Sequence, residues 1–334
     1  MRVDATDYRR FAPWPLARGG HRQTLLGHWL RRRLRWELPT EDLLIDAGGE
    51  AGGAVRLLAR ASWQPEPRRP ALVLVHGLQG SDASSYALAT GLHAWRRGWH
   101  VVRLNLRGSG DAEAVCPLLY NAGLDSDLLA TVRAVAPRAA GWATCGFSLG
   151  GNLALLMAAR RAAELPPGLI ASVGVSPPLD LAACADALER PSNRGYQWRF
   201  MSDLRDSYRR RQRLRPELYE AGLERGPRTI REWDHAITAR YGGYQGADDY
   251  YARASAGPLL ARLSTRALVL AAGDDPMIPG DAVSRWPLPP GDLVTRELLS
   301  TGGHVGFSAP TLAPASFWAA ERVLAFLEAC RARC

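Results

Sequence analysis

Chemistry in this chain begins at a serine. In "TCGFSLGGN", residues 144 to 152, Ser148 has Gly146 two residues before it and Gly150 two after. The run "GWATCGF" reads as a short buried strand, and "LGGNLALLMAARRAAE" reads as a helix. A sharp strand-to-helix turn lifts one side chain clear of the backbone. Helix and strand then approach so closely that the flanking positions must be small. The first turn of the helix also aims unpaired N–H groups at the serine, where they favour a developing negative charge. That is a setting for a nucleophile, and a serine hydroxyl attacks only when a base takes its proton.

Of the seven histidines, His304 is the candidate base. It lies in "STGGHVGF", a glycine-rich loop between the last predicted strand and the last predicted helix, from which an imidazole can reach across the sheet edge. For the acid that orients it, "AAGDDPMIP" offers Asp274 and Asp275 after the preceding predicted strand, and Asp180 follows the sixth. A tetrahedral intermediate needs donors for its oxyanion. The Leu149 amide, directly after Ser148, is one, and the Leu78 amide in "HGLQG" (76–80) is the other. His76 opens that second loop and is expected to prop it by hydrogen bonding rather than to act as a second base.

These loops need a frame. "ALVLVHG" (71–77), "WHVVRLNLRGSG", "GWATCGF", "LIASVGVS", "RALVLAAGDDP" and "DLVTRELL" read as strands. They alternate with helical stretches such as "SSYALATGLHAWRRG" and "LDSDLLATVRAVA", whose acidic first turn suits the helix dipole. Such alternation predicts a mostly parallel central sheet flanked by helices. "EDLLIDAGGEAGGAVRLLAR" reads as two strands around a glycine-rich turn at an antiparallel edge, and "ASFWAAERVLAFLEACR" as a closing amphipathic helix. The rhythm breaks from about 181 to 255, where the chain is arginine- and aromatic-rich with helical patches and no strand. The expectation is one α/β domain spanning 1–334 with a helical cap at about 181–255, seated over the sheet edge where open α/β sheets bind ligands. Within the cap, Trp198, Phe200, Met201, Trp233, Tyr250 and Tyr251 are candidates for an apolar wall, and Arg209 and Arg213 for meeting an anionic head group.

Composition narrows the setting. At 334 residues and 47% hydrophobic content the chain can bury a large core. Five cysteines without CxxC or metal-like spacing point to reduced thiols, and the chemistry calls for no metal and no cofactor. The N-terminus has no apolar core of a signal peptide, and no apolar run approaches bilayer length, so a cytoplasmic protein is expected. The net charge of +9 does not imply nucleic acid: all 42 basic residues are arginine, which with abundant alanine suggests the codon bias of a GC-rich bacterial genome. "LRRRLRW" (30–36) and "YRRRQRLRP" (208–216) are expected to be solvated helix faces, peripheral contact with an anionic partner or membrane surface being the alternative.

Taken together, these motifs resemble the α/β-hydrolase superfamily, and within it the YheT-like group with the plant EMB8-type and animal abhydrolase-domain 1, 2 and 3 proteins. "PWPLARGGHRQTLLGHWLRR", "LRGSG", "LYNAGLDSDL", "GFSLGGN", "REWDHAITARYGGYQGADDYY" and "GGHVGF" carry the resemblance, which runs from roughly residue 11 to 325. It implies an α/β-hydrolase fold and a nucleophile–acid–base order of Ser148, Asp275 and His304, with Asp275 favoured because Asp-x-x-x-Pro after a strand is similar to the usual acid loop. Asp274 is then a turn-bonding or solvated side chain. The long cap motif, with His21, Gln23 and Thr24, is expected to pin structure rather than touch substrate. The pattern around "IDAGGEAGGAV" departs from the group's usual acidic-aromatic one. The resemblance implies a carboxylester hydrolase, with lipid-like esters favoured, acting on a small-molecule ester. Acyl transfer to an alcohol or thiol would use the same residues. A silent ligand-binding scaffold would have no need of serine, acid, histidine and oxyanion loop together.

Overall fold

The apolar β-branched runs form the strands, and the computed structural model describes residues 11–31, 33–50, 53–309 and 317–333. The described strands are β1 (Glu41–Glu50), β2 (Gly53–Ser62), β3 (Ala71–Val75), β4 (His100–Asn105), β5 (Trp142–Phe147), β6 (Leu169–Val175), β7 (Ala267–Ala272) and β8 (Val294–Leu299). They form one sheet in the order β1-β2-β4-β3-β5-β6-β7-β8. Pairing is parallel from β4 through β8, while β1–β2 and β2–β4 are antiparallel, as the glycine-rich turn predicted.

The longer helices are α1 (Gly20–Arg31), α2 (Ser85–Arg96), α3 (Asp125–Val135), α4 (Leu149–Arg160), α5 (Leu181–Glu189), α6 (Arg194–Leu214), α7 (Ala247–Ala254) and α8 (Trp318–Arg331). Strand periodicity divides the core between the two faces of the sheet. Val73 and Val75 pack with Leu128 and Val132 of α3 and Leu153 of α4. Leu72 and Leu74 pack with Ala87 of α2 and Val323 and Leu327 of α8. Full burial of an aliphatic side chain contributes about 1.5–3 kcal/mol, so this alternation fixes the strand register and, through it, the loops at the strand ends.

Between β6 and β7 the chain is helical. Tyr208, Trp233, Ile237 and Leu260 share a third apolar cluster with Leu155 of α4 and Val269 of β7, which docks this segment on the sheet. The "LRGSG" and "LDSDL" motifs meet in a buried ion pair: the Arg107 guanidinium donates to both carboxylate oxygens of Asp127, tying the loop after β4 to α3. Cys116, Cys145 and Cys184 are buried thiols, and Cys334 lies outside the described residues. Among the described residues no helix is long and apolar enough to cross a membrane.

The two arginine runs are not uniformly solvated, contrary to the expectation. Arg209 and Arg210 are exposed and pair with Glu224 and Glu113, contacts of small energetic weight. Next to them in the same run, Arg211 is buried and donates to the carbonyls of Gly108, Leu118 and Ser207. In the first run Arg31 is buried, donates to the Val305 and Gly306 carbonyls and lies over the Phe317 ring, and burial lowers its pKa to about 9. Arg32 lies outside the described residues. Among the described residues each run therefore holds one arginine as an internal brace, because carbonyls left unpaired by irregular loops need donors.

Candidate active site

Ser148 stands at the turn between β5 and α4 with φ 52° and ψ −124°, a conformation that L side chains rarely adopt. Such a residue costs about 1–3 kcal/mol and persists only where its surroundings impose it. Here a Cβ at Gly146 would run into the Gly150 carbonyl, and one at Gly150 into the carbonyls of Val75 and His76. The turn is thus closed by glycine on both sides, and the Ser148 N–H donates to the Val175 carbonyl of β6.

The three loops after β5, β7 and β8 meet in one hydrogen-bonded row. His304 Nε2 is 3.0 Å from Ser148 Oγ, and His304 Nδ1 is 2.8 Å from Asp275 Oδ2. The other Asp275 oxygen accepts from the Met277 and Ile278 amides. A carboxylate at Nδ1 selects the tautomer that leaves the Nε2 lone pair facing the serine hydroxyl. Asp275 is buried, while Ser148 and His304 keep part of their surface open to the cavity that both line.

Asp274 and Asp180 are used differently. Asp274 accepts from the Gly302 and Gly303 amides and the Thr301 hydroxyl, so it shapes the loop that carries His304 without touching the imidazole. Asp180 caps the first turn of α5 through the Ala183 amide and pairs with Arg285.

Around Leu78 the backbone donors are sorted by two tyrosines that went unrecognised in the sequence. The Gly77 N–H donates to Tyr86 Oη, the Gln79 N–H to Tyr120 Oη and the Gly80 N–H to the Gly77 carbonyl. Among the described residues the Leu78 amide has no such acceptor, and Leu78 lines the cavity that Leu149 and Ser148 also line. His76 props the loop: Nε2 accepts from the Leu106 N–H, so Nδ1 carries the proton and donates to the Gly77 carbonyl.

Burial lowers the His76 pKa from 6.5 to about 4. Because the folded value lies below the unfolded one, the unfolded chain binds the extra proton between those pH values, and stability falls as pH drops through that window. His100 shifts in the same direction and Asp234 in the opposite one, so the His76 contribution is read by difference. The acid-side slope of urea stability is expected to flatten in His76→Gln relative to the parent chain; an unchanged slope would contradict the neutral-prop reading.

Helix α1 holds the His304 loop from behind. The His304 N–H donates to Thr24 Oγ1, the Ser308 N–H to Gln23 Oε1, and Gln23 Nε2 to the Ala17 carbonyl. The Val305 N–H donates to Ser176 Oγ after β6. Gln23 and Thr24 thus make pinning contacts of the kind expected, while His21 stacks on Tyr196 of α6, linking α1 to the helical segment above the sheet.

The cavity holds about 120 Å³. Phe200, Trp233, Tyr250 and Tyr251 line it, as expected for an apolar wall, and Trp198, Met201, Arg209 and Arg213 do not. Trp198 is 71% exposed and Met201 is packed in the third apolar cluster. Helical phase explains the difference: Phe200, Leu204, Ser207 and Arg211 recur at intervals of four, three and four, and that stripe of α6 faces the cavity. Within the long cap motif, Tyr250 Oη accepts from the Ala122 amide and Tyr244 Oη donates to Asn121, so it pins the segment while also lining the cavity. Among the described residues no cluster of three or more metal-ligating side chains is gathered.

A parallel sheet with an antiparallel edge, and a strained serine at a strand-to-helix turn facing a histidine and a buried aspartate, define a class. The chain belongs to the α/β-hydrolase superfamily: residues 70–308 match the family described as the alpha/beta hydrolase fold. Within it the chain falls in the YheT-like group that includes EMB8 and ABHD3 relatives. It is 32% identical to YheT of Escherichia coli (strain K12), over 96% of this chain and 94% of that one. It is 27% identical to the embryogenesis-associated protein EMB8 of Picea glauca, over 78% of this chain and 58% of that one. It is 29% identical to phospholipase ABHD3 of Mus musculus, over 72% of this chain, and spans 58% of that relative's length. Among solved structures, the Pyrococcus furiosus esterase Pf2001 matches with a TM-score of 0.55 at 12% identity, covering 89% of this chain and 94% of that one, a likeness of fold.

Proposed function

We propose that the protein is a serine hydrolase that cleaves carboxylic esters through an acyl-enzyme intermediate. The observation that carries this reading is the row Ser148–His304–Asp275, with contacts of 3.0 and 2.8 Å, opening on the same cavity as the Leu78 and Leu149 residues. Relatives whose names are those of an esterase, a phospholipase and a monoacylglycerol lipase support ester hydrolysis.

In this mechanism His304 Nε2 takes the Ser148 proton as Oγ attacks the ester carbonyl carbon. The carbonyl oxygen becomes an oxyanion held by the Leu78 and Leu149 N–H groups, in a site where fixed donors need no reorganisation. Asp275 steadies the imidazolium. Collapse breaks the C–O bond, and the departing alkoxide takes the proton from His304. Water then gives a proton to His304 and its hydroxide adds to the acyl carbon; the second collapse restores Ser148 and releases the acid. The segment between β6 and β7 acts as a cap whose aromatic wall contacts substrate.

Rapid mixing with a p-nitrophenyl ester is expected to give a burst of p-nitrophenol stoichiometric with enzyme, followed by a slower steady state. Adding a primary alcohol separates hydrolysis from acyl transfer: a hydrolase leaves the acid as the main product, whereas accumulation of the new ester would contradict hydrolysis. No turnover of any p-nitrophenyl ester would contradict the reading itself.

A further inference from the structure

The cavity that Ser148 lines has a second chemical feature. Trp233 is followed by a π-helical turn, Asp234–Thr238, closed by the Ala239 N–H bonding back to the Asp234 carbonyl. Turns of this kind widen the helix locally and recur at functional sites. This one sets Asp234 and Thr238 on the cavity, together with Tyr251 of α7. Thr238 Oγ1 donates to Asp234 Oδ1 at 2.7 Å and Tyr251 Oη to Asp234 Oδ2 at 2.8 Å. An ionised carboxylate has about four acceptor sites, so two remain after these bonds.

No cation pairs with this carboxylate among the described residues. Arg231, whose charge acts on Asp234 without pairing with it, gives its guanidinium to Asp186 and Asp248 and lies over the Tyr251 ring. Arg211, the other charged side chain on the cavity apart from the row around Ser148, gives its N–H groups to carbonyls. Asp234 is half-buried, and burial pushes its pKa up to about 6. Asp234 is also one of the residues that line the cavity. A carboxylate held in a mostly apolar space by two neutral donors carries a desolvation penalty that a bound cation would relieve. The Trp233 and Tyr250 rings also line the cavity, and aromatic rings suit a cation.

We propose that Asp234 forms a cation-binding subsite of this cavity, taking the ammonium group of an amine-bearing ester whose carbonyl meets Ser148. The proposal rests on the esterase reading for its substrate but not for the binding itself. Its probes are n-hexylammonium and 1-hexanol, equal in chain and different in charge, as inhibitors of p-nitrophenyl butyrate hydrolysis. The ammonium is expected to inhibit competitively about tenfold more tightly than the alcohol, the size of one charge-assisted hydrogen bond. In Asp234→Asn that ratio is expected to fall to near one. A purely structural effect of the substitution would raise both inhibition constants together and leave the ratio intact, which would overturn the proposal, as would equal inhibition of the parent enzyme. Calorimetric titration of n-hexylammonium into Ser148→Ala reads the subsite without turnover. Saturable binding that disappears when Asp234→Asn is added supports the subsite even if the chain hydrolysed no ester; no saturable binding overturns it.

Discussion

Ser148→Ala is expected to lower kcat for ester hydrolysis by about 10⁶, the loss typical of removing a nucleophile from a cooperating set. The residue earns that expectation by position. Its positive φ, the glycine closures at 146 and 150 and the His304 contact all serve to present one hydroxyl. The substitution removes that hydroxyl while keeping the Cβ, so the fold should persist: the far-ultraviolet circular dichroism and the urea midpoint are expected to match the parent or exceed it slightly. Undiminished hydrolysis of p-nitrophenyl esters by the purified variant would remove Ser148 from the mechanism.

Asp275→Asn is expected to lower kcat by about 10⁴, because an amide in place of the carboxylate can donate to Nδ1 and so invert the imidazole tautomer. Asp274→Asn should cost far less. Its amide side chain would keep an oxygen for the Gly302 and Gly303 N–H groups and lose the acceptor of the Thr301 hydroxyl, a net effect of about 0.5–1.5 kcal/mol. Parallel kinetics on the two variants decide the assignment. A larger defect in Asp274→Asn would reverse it, and a crippled Asp180→Asn would move the acid to the end of β6.

The sheet, its antiparallel edge and the loops after β5, β7 and β8 were legible because each is written locally. A buried strand, a glycine turn and a helix start occupy a short stretch of chain, and alternation supplies the order. The helical segment was legible as helical but not in phase. Trp198 and Met201 look like wall residues by type, yet the α6 stripe through Phe200, Leu204, Ser207 and Arg211 is the one on the cavity, and its spacing was available as the signal. Arg31 and Arg211 look like surface charge because nothing local shows the loop carbonyls they meet. Tyr86, Tyr120 and Ser176 were missed for the same reason: their partners lie in other loops, and a single tyrosine or serine carries no mark of a distant amide.

The most direct test of the account is covalent. Incubating the full chain with a fluorophosphonate, followed by intact-mass measurement and peptide mapping, is expected to show one adduct per chain, on Ser148, and none in Ser148→Ala. A chain that remains unmodified while it hydrolyses esters, or an adduct that maps to any other residue, would contradict it.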